Sequence, residues 1–282
     1  MDTALRFDRL AREAGYELNV IGIPKTIDND LAGTDHTPGH ASCARFFAHA
    51  ARDIGLDNRA LPNPVCFVET LGRHTGWVVA GTAHARHRDD DPPHLIYFPE
   101  CGVSLDKICG DVEDVVRRLG HCVVAVCEGQ VDEKGGWFDT DLIAAPGTRS
   151  ALPANMGHVL AKLVWARTGI RARAEKPGLL GRCSPALASD IDREESWRCG
   201  EAALRAALAG RSGEMVSIRR ASGTRYESYL ETVPLGEVAG IQRRFPLEWI
   251  NAERNGVRPE YLEWSRPIVG EIAAHPRLTV RE

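Results

Sequence analysis

The chain has 282 residues, 43% of them hydrophobic, and its 35 lysines and arginines nearly balance 39 aspartates and glutamates, leaving a net charge of −4. This composition excludes a global positive field, so we expect no nucleic-acid partner and no membrane partner, and any anion must bind to a local cluster of cations. Apolar runs fall short of the ~20 residues of a membrane span, and the eight cysteines form no C-x-x-C pair. Together these features predict a cytoplasmic protein without disulfides.

Hydrophobic periodicity predicts strands that alternate with helices along most of the chain. The predicted elements, in order, are helix 2–14, strand 18–23, helix 40–54 closed by Gly55, strand 65–68, helix 76–86, strand 95–98, helix 105–119, strand 122–127, an inserted loop at 129–153, helices 155–167 and 193–209, a strand region beginning at 216–218 and a mixed tail at 246–282. Alternation of this kind is typical of βαβ units and mostly parallel sheets. The predicted fold class is therefore α/β.

Three of the predicted strands end in unusually polar stretches. They are "GIPKTIDND" at 22–30, "ETLGRHTGW" at 69–77, and Glu128 with the glycine that follows it. A single polar strand end usually caps a loop, but the carboxyl ends of parallel strands are also where α/β folds bind ligands. Three such ends in one chain favour a binding or catalytic site.

The side chains in these stretches suit transfer to a phosphorylated, hydroxylated substrate. Asp28 is able to accept a hydroxyl proton during attack on a phosphoryl group. Arg73 and Arg182 are able to bind phosphate in a bidentate manner. Glu128 is able to accept hydrogen bonds from sugar hydroxyls, and Lys25 to neutralise a phosphate charge.

At this point the residues resemble a known family. "GIPKTIDND", followed by "GTDHT" at 33–37, is similar to the first signature of the phosphofructokinases. "VETLGRHTGW" at 68–77 and "VVAVCEG" at 123–129 resemble the second and third signatures, and "KPGLLGRCS" at 176–184 resembles a variant of the sugar-phosphate loop. The resemblance is strong from about 18 to 130 and moderate from 155 to 265.

The resemblance implies a phosphofructokinase-like fold with two Rossmann-like lobes, mostly parallel sheets and an incomplete first lobe. Residues 1–40 with about 181–235 would be the remnant of the phosphoryl-donor lobe, and about 41–180 with 236–282 the sugar-phosphate lobe. Family members precede the opening helix with a glycine-rich segment that carries the donor loop and a metal-binding aspartate. We expect this chain to lack that segment and so to be a truncated form.

The resemblance also implies roles for individual residues. Asp28 would be the general base on the 1-hydroxyl of fructose 6-phosphate, with Lys25 beside it as the second catalytic residue. Glu128 would hold sugar hydroxyls and Arg182 the 6-phosphate. The full set of implied substrate-binding residues is Thr26, Asp28, Asp30, Leu71, Gly72, Arg73, Glu128, Arg173, Leu179 and Arg182.

The function that the resemblance implies is a glycolytic transferase, a kinase that makes fructose 1,6-bisphosphate with Mg²⁺ as cofactor and assembles as a homo-oligomer. Lysine at position 25 goes with pyrophosphate as donor, whereas ATP users commonly have glycine there; ATP stays open as the second choice. No metal ligand is assigned. The alternative is a truncated, non-catalytic homologue that binds sugar phosphate or assembles with a full-length subunit.

Overall fold

The computed structural model describes residues 1–138 and 155–275, together with two short strands at 142–143 and 152–153. Its helices are α1 (Asp2–Glu13), α2 (His40–Asn58), α3 (Trp77–Gly81), α4 (Leu105–Leu119), α5 (Met156–Thr168), α6 (Asp190–Leu208) and α7 (Pro259–Val269). Its strands are β1 (Ile21–Gly22), β2 (Val65–Thr70), β3 (Leu95–Ile96), β4 (Cys122–Cys127), β5 (Leu142–Ile143), β6 (Leu152–Pro153), β7 (Ala172–Glu175), β8 (Glu214–Arg220) and β9 (Ser228–Pro234).

The chain divides into two compact units. The first unit comprises Met1–Ser42 and Ala188–Arg243, and the second comprises Cys43–Leu187 and Arg244–Glu282. Each is therefore built from two separate stretches of chain. Whether the first is a donor lobe and the second a sugar-phosphate lobe is a question of function, and that assignment stays a prediction.

The second unit is built on a four-stranded parallel sheet in the order β3-β4-β2-β7. Side chains on β4 alternate, so that Val124 and Val126 pack against α4 and α5, while Ala125 and Cys127 pack against α3 and α7 on the opposite face. Helices thus cover both faces, which is why β2 and β4 are buried along their whole length. The carboxyl ends of these strands form one edge of the sheet.

The first unit has a smaller sheet, in which β1 runs parallel to β8 and β8 pairs antiparallel with β9. Helix α6 packs on one face, where Cys199 and Ala203 contact Val216 and Ile218. Helix α1 packs on the other face through Ala4 and Leu5, next to Met1. The segment after β1 is consequently held at the end of a short strand that is supported from both sides.

The α/β class with mostly parallel strand pairs is confirmed, but several predicted bounds are wrong. Helix α2 continues through Gly55 to Asn58 instead of stopping at 54. Gly55 is needed there for packing, because a Cβ at that position would lie 2.1 Å from Cγ of Pro92. The strand predicted at 18–23 shrinks to Ile21–Gly22, since only those two residues pair with β8.

Other differences concern elements with weak sequence patterns. The helix predicted at 76–86 is α-helical only over Trp77–Gly81 and then tightens to a 3₁₀ turn at Thr82–Ala85. Strands β7 and β9 were not predicted, because both are sheet-edge strands with half-exposed, charged side chains. Much of the loop predicted at 129–153 lies outside the described residues. Among the residues that the structure describes, no helix has the length and apolar character to cross a membrane.

Candidate functional site

The first unit carries the "GIPKTIDND" stretch in a loop that leaves β1 at Gly22. Asn29 organises this loop: it is fully buried, has a positive φ of 53°, and its Oδ1 accepts the backbone N–H of Thr37 at 3.0 Å. The Thr37 hydroxyl donates to the carbonyl oxygen of Thr26 at 2.7 Å. Because asparagine adopts a positive φ more easily than most residues, it suits the sharp turn that brings residues 26 and 37 together.

Two further hydrogen bonds fix the peptide unit that joins Ile27 to Asp28. Its own N–H donates to the hydroxyl oxygen of Thr26 at 3.1 Å. The preceding carbonyl, that of Ile27, accepts from Nδ1 of His40 at 3.0 Å, which places the ring proton on that nitrogen. Asp28 is half-buried and Lys25 is exposed. The loop therefore presents a carboxylate and an ammonium on a backbone that is tied down.

Asp30 ends the stretch and is held by the segment just before the end of the first unit. Its carbonyl oxygen accepts the N–H of Arg243 at 2.8 Å, and its Oδ2 accepts from the Gln242 amide at 3.3 Å. The guanidinium of Arg243 donates to the carbonyl oxygens of Thr34 and Asp35, both at 2.6 Å. Burial lowers the pKa of Arg243 to about 10, so it stays charged at neutral pH.

The start of α2 is held by a buried carboxylate from α6. Asp192 is 4% exposed and accepts the N–H of Gly39 at 2.8 Å, the N–H of Ser42 at 3.0 Å and the Ser42 hydroxyl at 2.5 Å. The first N–H groups of a helix have no partner within the helix, and a carboxylate there also favours the helix dipole. Asp192 thereby secures the segment that follows Thr37.

The second unit gathers another polar cluster at the carboxyl edge of its parallel sheet. Glu128, directly after β4, lies 3.9 Å from Arg73, and it also accepts a hydrogen bond from the backbone N–H of Gly72. Gly72 has φ 119°, and a Cβ on it would lie 2.9 Å from the Thr75 carbonyl oxygen. A Cβ on Gly129 would lie 1.6 Å from the carbonyl oxygen of Arg73. Gly72 therefore allows the tight turn after β2, and Gly129 allows that turn to lie against the turn after β4.

Glu69 and Lys176 extend this cluster. Glu69, near the end of β2, is 1% exposed; its Oε2 accepts the N–H of Gly157 at 2.8 Å, and its Oε1 lies 2.6 Å from Nζ of Lys176. Burial raises the pKa of Glu128, while Lys176 and then Arg73 act in the opposite direction. The cluster thus contains two carboxylates and two cations.

The structure places the other predicted residues of the second unit separately. Arg173, on β7, forms ion pairs with Glu175 and with Asp57, both at 2.9 Å. Leu179 and Arg182 lie on the exposed 3₁₀ turn Gly178–Arg182, and Leu179 is 60% exposed. Leu71 is half-buried in the turn after β2. Arg73, Gly72 and Glu128 are therefore brought together, whereas Arg173 is engaged elsewhere.

Within the described parts of the chain, no group of three or more histidine, cysteine, aspartate or glutamate side chains is arranged to hold a metal ion. The first unit nevertheless offers two carboxylates in one loop, Asp28 and Asp30. Mg²⁺ in phosphoryl-transfer sites is commonly held by one or two carboxylates together with substrate phosphates and water. A single carboxylate of this loop would be enough for a Mg²⁺ ion that arrives with its phosphate ligand.

Sequence reasoning missed four residues that shape these clusters: Asn29, Asp192, Glu69 and Lys176. Asn29 was inside the quoted signature, and its position in a turn between polar residues is a usable signal. Glu69 and Lys176 were inside quoted motifs as well. Asp192 carries no sequence signal, because its partners are about 150 residues away.

Similar proteins are known, both by sequence and by structure. A model of the phosphofructokinase family matches residues 2–218. The chain is 37% identical over 276 residues to the pyrophosphate–fructose 6-phosphate 1-phosphotransferase of Rhodospirillum rubrum, covering 95% of this chain and 68% of that protein. It is 34% identical over 264 residues to the sulfofructose kinase of Alkalicoccus urumqiensis, covering 92% and 66%.

Among solved structures, the pyrophosphate-dependent phosphofructokinase of Marinobacter aquaeolei superimposes with a TM-score of 0.84 at 29% identity, covering 98% of this chain and 66% of that one. The chain spans about two thirds of the length of these relatives. The family match covers most of the chain, and it includes both loops described above. The chain belongs to the phosphofructokinase family.

Proposed function

We propose that this chain provides the machinery for transferring a phosphoryl group from pyrophosphate to the 1-hydroxyl of fructose 6-phosphate, giving fructose 1,6-bisphosphate and inorganic phosphate. The observation that carries the proposal is Asp28, half-buried on a loop whose backbone is fixed by Asn29, Thr37 and His40. A carboxylate on a backbone held in this way is suited to be a general base. The reaction is the one named for the Rhodospirillum relative.

In the proposed step, Asp28 takes the proton of the 1-hydroxyl as its oxygen attacks a phosphorus atom of pyrophosphate. The new oxygen–phosphorus bond forms while the bridging oxygen–phosphorus bond breaks, and inorganic phosphate leaves with the bridging oxygen. Thr26 supports the base, since its hydroxyl accepts the N–H of Asp28. Such transfer depends mainly on positioning and on charge stabilisation.

Lys25 is proposed to select the donor. It is exposed, and its side chain passes Gly39, where an added Cβ would lie 3.6 Å from Cε of the lysine. An ammonium beside a transferring pyrophosphate offsets its charge as a compact point charge. It would also crowd the α-phosphate of a nucleotide, so we assign pyrophosphate in preference to ATP.

Recognition of the sugar phosphate is assigned to the second unit. Glu128 would accept hydrogen bonds from sugar hydroxyls, Arg73 would lie against the substrate, and Arg182 would bind the 6-phosphate through its planar guanidinium. Leu71, Gly72 and Leu179 would shape the surroundings. Arg173 takes part only if it leaves its ion pairs with Asp57 and Glu175.

Mg²⁺ is the proposed cofactor, and Asp30 is the residue that would hold it. When bound, the ion neutralises charge on the transferring phosphates. We further propose that the first unit is the donor lobe, that the second is the sugar-phosphate lobe, and that the protein acts in glycolysis as a cytoplasmic homo-oligomer.

A second candidate is a non-catalytic sugar-phosphate binder. One observation favours it: the cluster of Arg73, Glu128, Glu69 and Lys176 belongs entirely to the second unit and needs no residue of the first for its contacts. Under this proposal, fructose 6-phosphate binds but no phosphoryl transfer follows.

The test measures turnover and binding separately. The chain is assayed with fructose 6-phosphate, Mg²⁺ and either pyrophosphate or ATP, with sulfofructose as a second acceptor because one relative is named for it. Calorimetry measures sugar-phosphate binding without a donor. We expect Asp28→Asn to lower kcat at least 100-fold while binding changes little, and Asp2→Asn, on exposed α1, to change neither.

Three outcomes decide among the proposals. Turnover with ATP but not with pyrophosphate would refute the role of Lys25. Binding without turnover by either donor would support the non-catalytic candidate. Absence of both binding and turnover would contradict both candidates.

A further inference from the structure

Lys176 occupies a position at the edge of the parallel sheet that the proposed function leaves unexplained. It directly follows β7, which pairs in register with β2 so that Val68 lies opposite Glu175. Glu69 is the next residue along β2, and Glu128 follows β4 on the other side of β2. The strand order β4-β2-β7 therefore sets Glu128, Glu69 and Lys176 side by side at the edge where α/β sheets bind ligands.

Glu69 anchors the lysine. The carboxylate is 1% exposed and held on its other oxygen by the N–H of Gly157, in the first turn of α5. The 2.6 Å ion pair with Nζ of Lys176 compensates its burial. Because the carboxylate has little freedom, the ammonium bound to it is also fixed in place.

The ammonium has further donors to offer. A lysine has three N–H donors, and Glu69 is its only ion-pair partner among the described residues. The Lys176 side chain is 33% exposed, against 1% for that of Glu69. Arg73 and Glu128 repeat the arrangement, with the cation 50% exposed and the carboxylate 21% exposed. Carboxylates thus lie inside and cations outside, so the outer face of the cluster attracts an anion.

The loop that begins at Lys176 has few other side chains that are able to donate a hydrogen bond to a ligand. In "KPGLLGR", at 176–182, the only side chains with polar hydrogens are Lys176 and Arg182. Leu179 and Leu180 are each 60% exposed and have nothing to donate. A sugar phosphate bound along this loop would have Arg182 at one end and Lys176 at the other.

We propose that Lys176 is a further substrate-binding residue, which donates from its anchored ammonium to the sugar phosphate beside Glu128 and Arg73. This inference rests on the proposed function, because it names an additional contact in the same acceptor site. It also explains why a buried glutamate lies beneath the site: Glu69 holds the donor in position.

The test is calorimetric titration of the chain with fructose 6-phosphate. Lys176→Met should weaken binding at least tenfold, because a hydrogen bond to a charged group is lost. Lys176→Arg should recover part of the affinity. Lys162→Met, which removes an exposed lysine from α5 of the same unit, is the matched control and should bind like the wild type.

A double variant distinguishes a direct contact of Lys176 with the substrate from mere neutralisation of the Glu69 charge. In Lys176→Met alone, Glu69 is left buried without its cation, and an unpaired buried charge destabilises a fold by itself. Glu69→Gln with Lys176→Met removes both charges, so it should unfold near the wild-type temperature and still bind at least tenfold more weakly. Recovery of wild-type affinity in the double variant would show that Lys176 only neutralises Glu69, and would overturn the inference.

The same titration distinguishes a failure of the proposed function from a failure of the role of Lys176. If the wild-type chain does not bind fructose 6-phosphate, the acceptor site itself is wrong. If the wild type binds and the double variant binds within twofold of it, only the role of Lys176 is wrong.

Discussion

The contact between Asp192 and the start of α2 allows a quantitative prediction about the first unit. Asp192→Ala removes an acceptor that serves two backbone N–H groups, those of Gly39 and Ser42, and one hydroxyl. The carboxylate is 4% exposed, so water does not readily replace it. A hydrogen bond to a charged group contributes about 1.5–3 kcal/mol, and loss of a helix cap about 0.5–2 kcal/mol.

Counting the two backbone bonds at the low end of that range, we expect Asp192→Ala to lower the free energy of unfolding by about 3 kcal/mol. Asp192→Asn keeps one carbonyl oxygen as acceptor and should lose about half as much. Urea unfolding followed by circular dichroism gives the free energy. Hydrogen exchange at the amides of Gly39 and Ser42 shows whether the loss is located at the start of α2.

The matched control is Asp190→Ala, two residues earlier on α6. Asp190 forms an exposed ion pair with Arg193, and such pairs contribute little. We expect a change below about 0.5 kcal/mol there. If Asp192→Ala also changes stability by less than about 1 kcal/mol, or if exchange at the two amides is unaltered, the reasoning about this cap is refuted.

Two further predictions concern the second unit. Gly129→Ala places a Cβ 1.6 Å from a backbone carbonyl oxygen and should lower the free energy of unfolding in urea by about 3 kcal/mol. Gly110→Ala, in a helix where nothing lies within 4 Å of the added Cβ, should raise it by about 0.5–1 kcal/mol. Equal effects of the two substitutions would contradict the close approach at Gly129. Burial lowers the pKa of His84 and of His94 to about 4. Their contribution to stability is therefore present above about pH 6.5 and is lost as the pH falls towards 4. The loss is up to about 1.4 kcal/mol per pH unit for each histidine. Replacing both by glutamine should flatten that dependence, while His87→Gln, on the exposed turn, should leave it; an unchanged slope in the double variant would show that other groups cause it.

The sequence predicted the parts of the fold whose pattern is set by local burial. Helix 105–119 and strand 122–127 have the predicted bounds, because an amphipathic helix and a wholly buried strand each leave a clear periodicity. Strand β7 left none: its residues are "ARAE", half-exposed, and only pairing with β2 makes them a strand. An element defined by its neighbour is not visible in its own sequence.

Gly55 shows a second limit of predicting structure from sequence periodicity. A glycine near the end of a helical pattern is read as a stop, because it commonly ends helices. In α2 it is a packing residue, required by Pro92, and the helix continues for three more residues. The contact that decides this joins positions 37 residues apart, so sequence periodicity has no access to it.

The candidate site divides in a similar way between residues that carry chemistry and residues that hold them. The signatures identified the first kind, such as Asp28, Arg73 and Glu128, because polar side chains at strand ends are conspicuous. The second kind, Asn29, Asp192 and Glu69, is buried. Asp192 and Glu69 make their contacts across long sequence separations, whereas Asn29 bonds Thr37 within the same loop.

The buried members of that second group are informative because their burial has a cost. Asn29, Asp192 and Glu69 are each 4% exposed or less. Asn29 and Asp192 accept hydrogen bonds from N–H or hydroxyl groups, and Glu69 accepts one N–H and forms an ion pair with Lys176. An apolar side chain would fill the same volume without the desolvation penalty of a polar group. What it would not do is fix the backbone after β1 or an ammonium at the edge of the sheet. Glu69 is the only ion-pair partner of Lys176 among the described residues, so the ammonium that this buried carboxylate holds keeps N–H donors for a ligand, as the buried Asn29 holds the loop that presents Asp28.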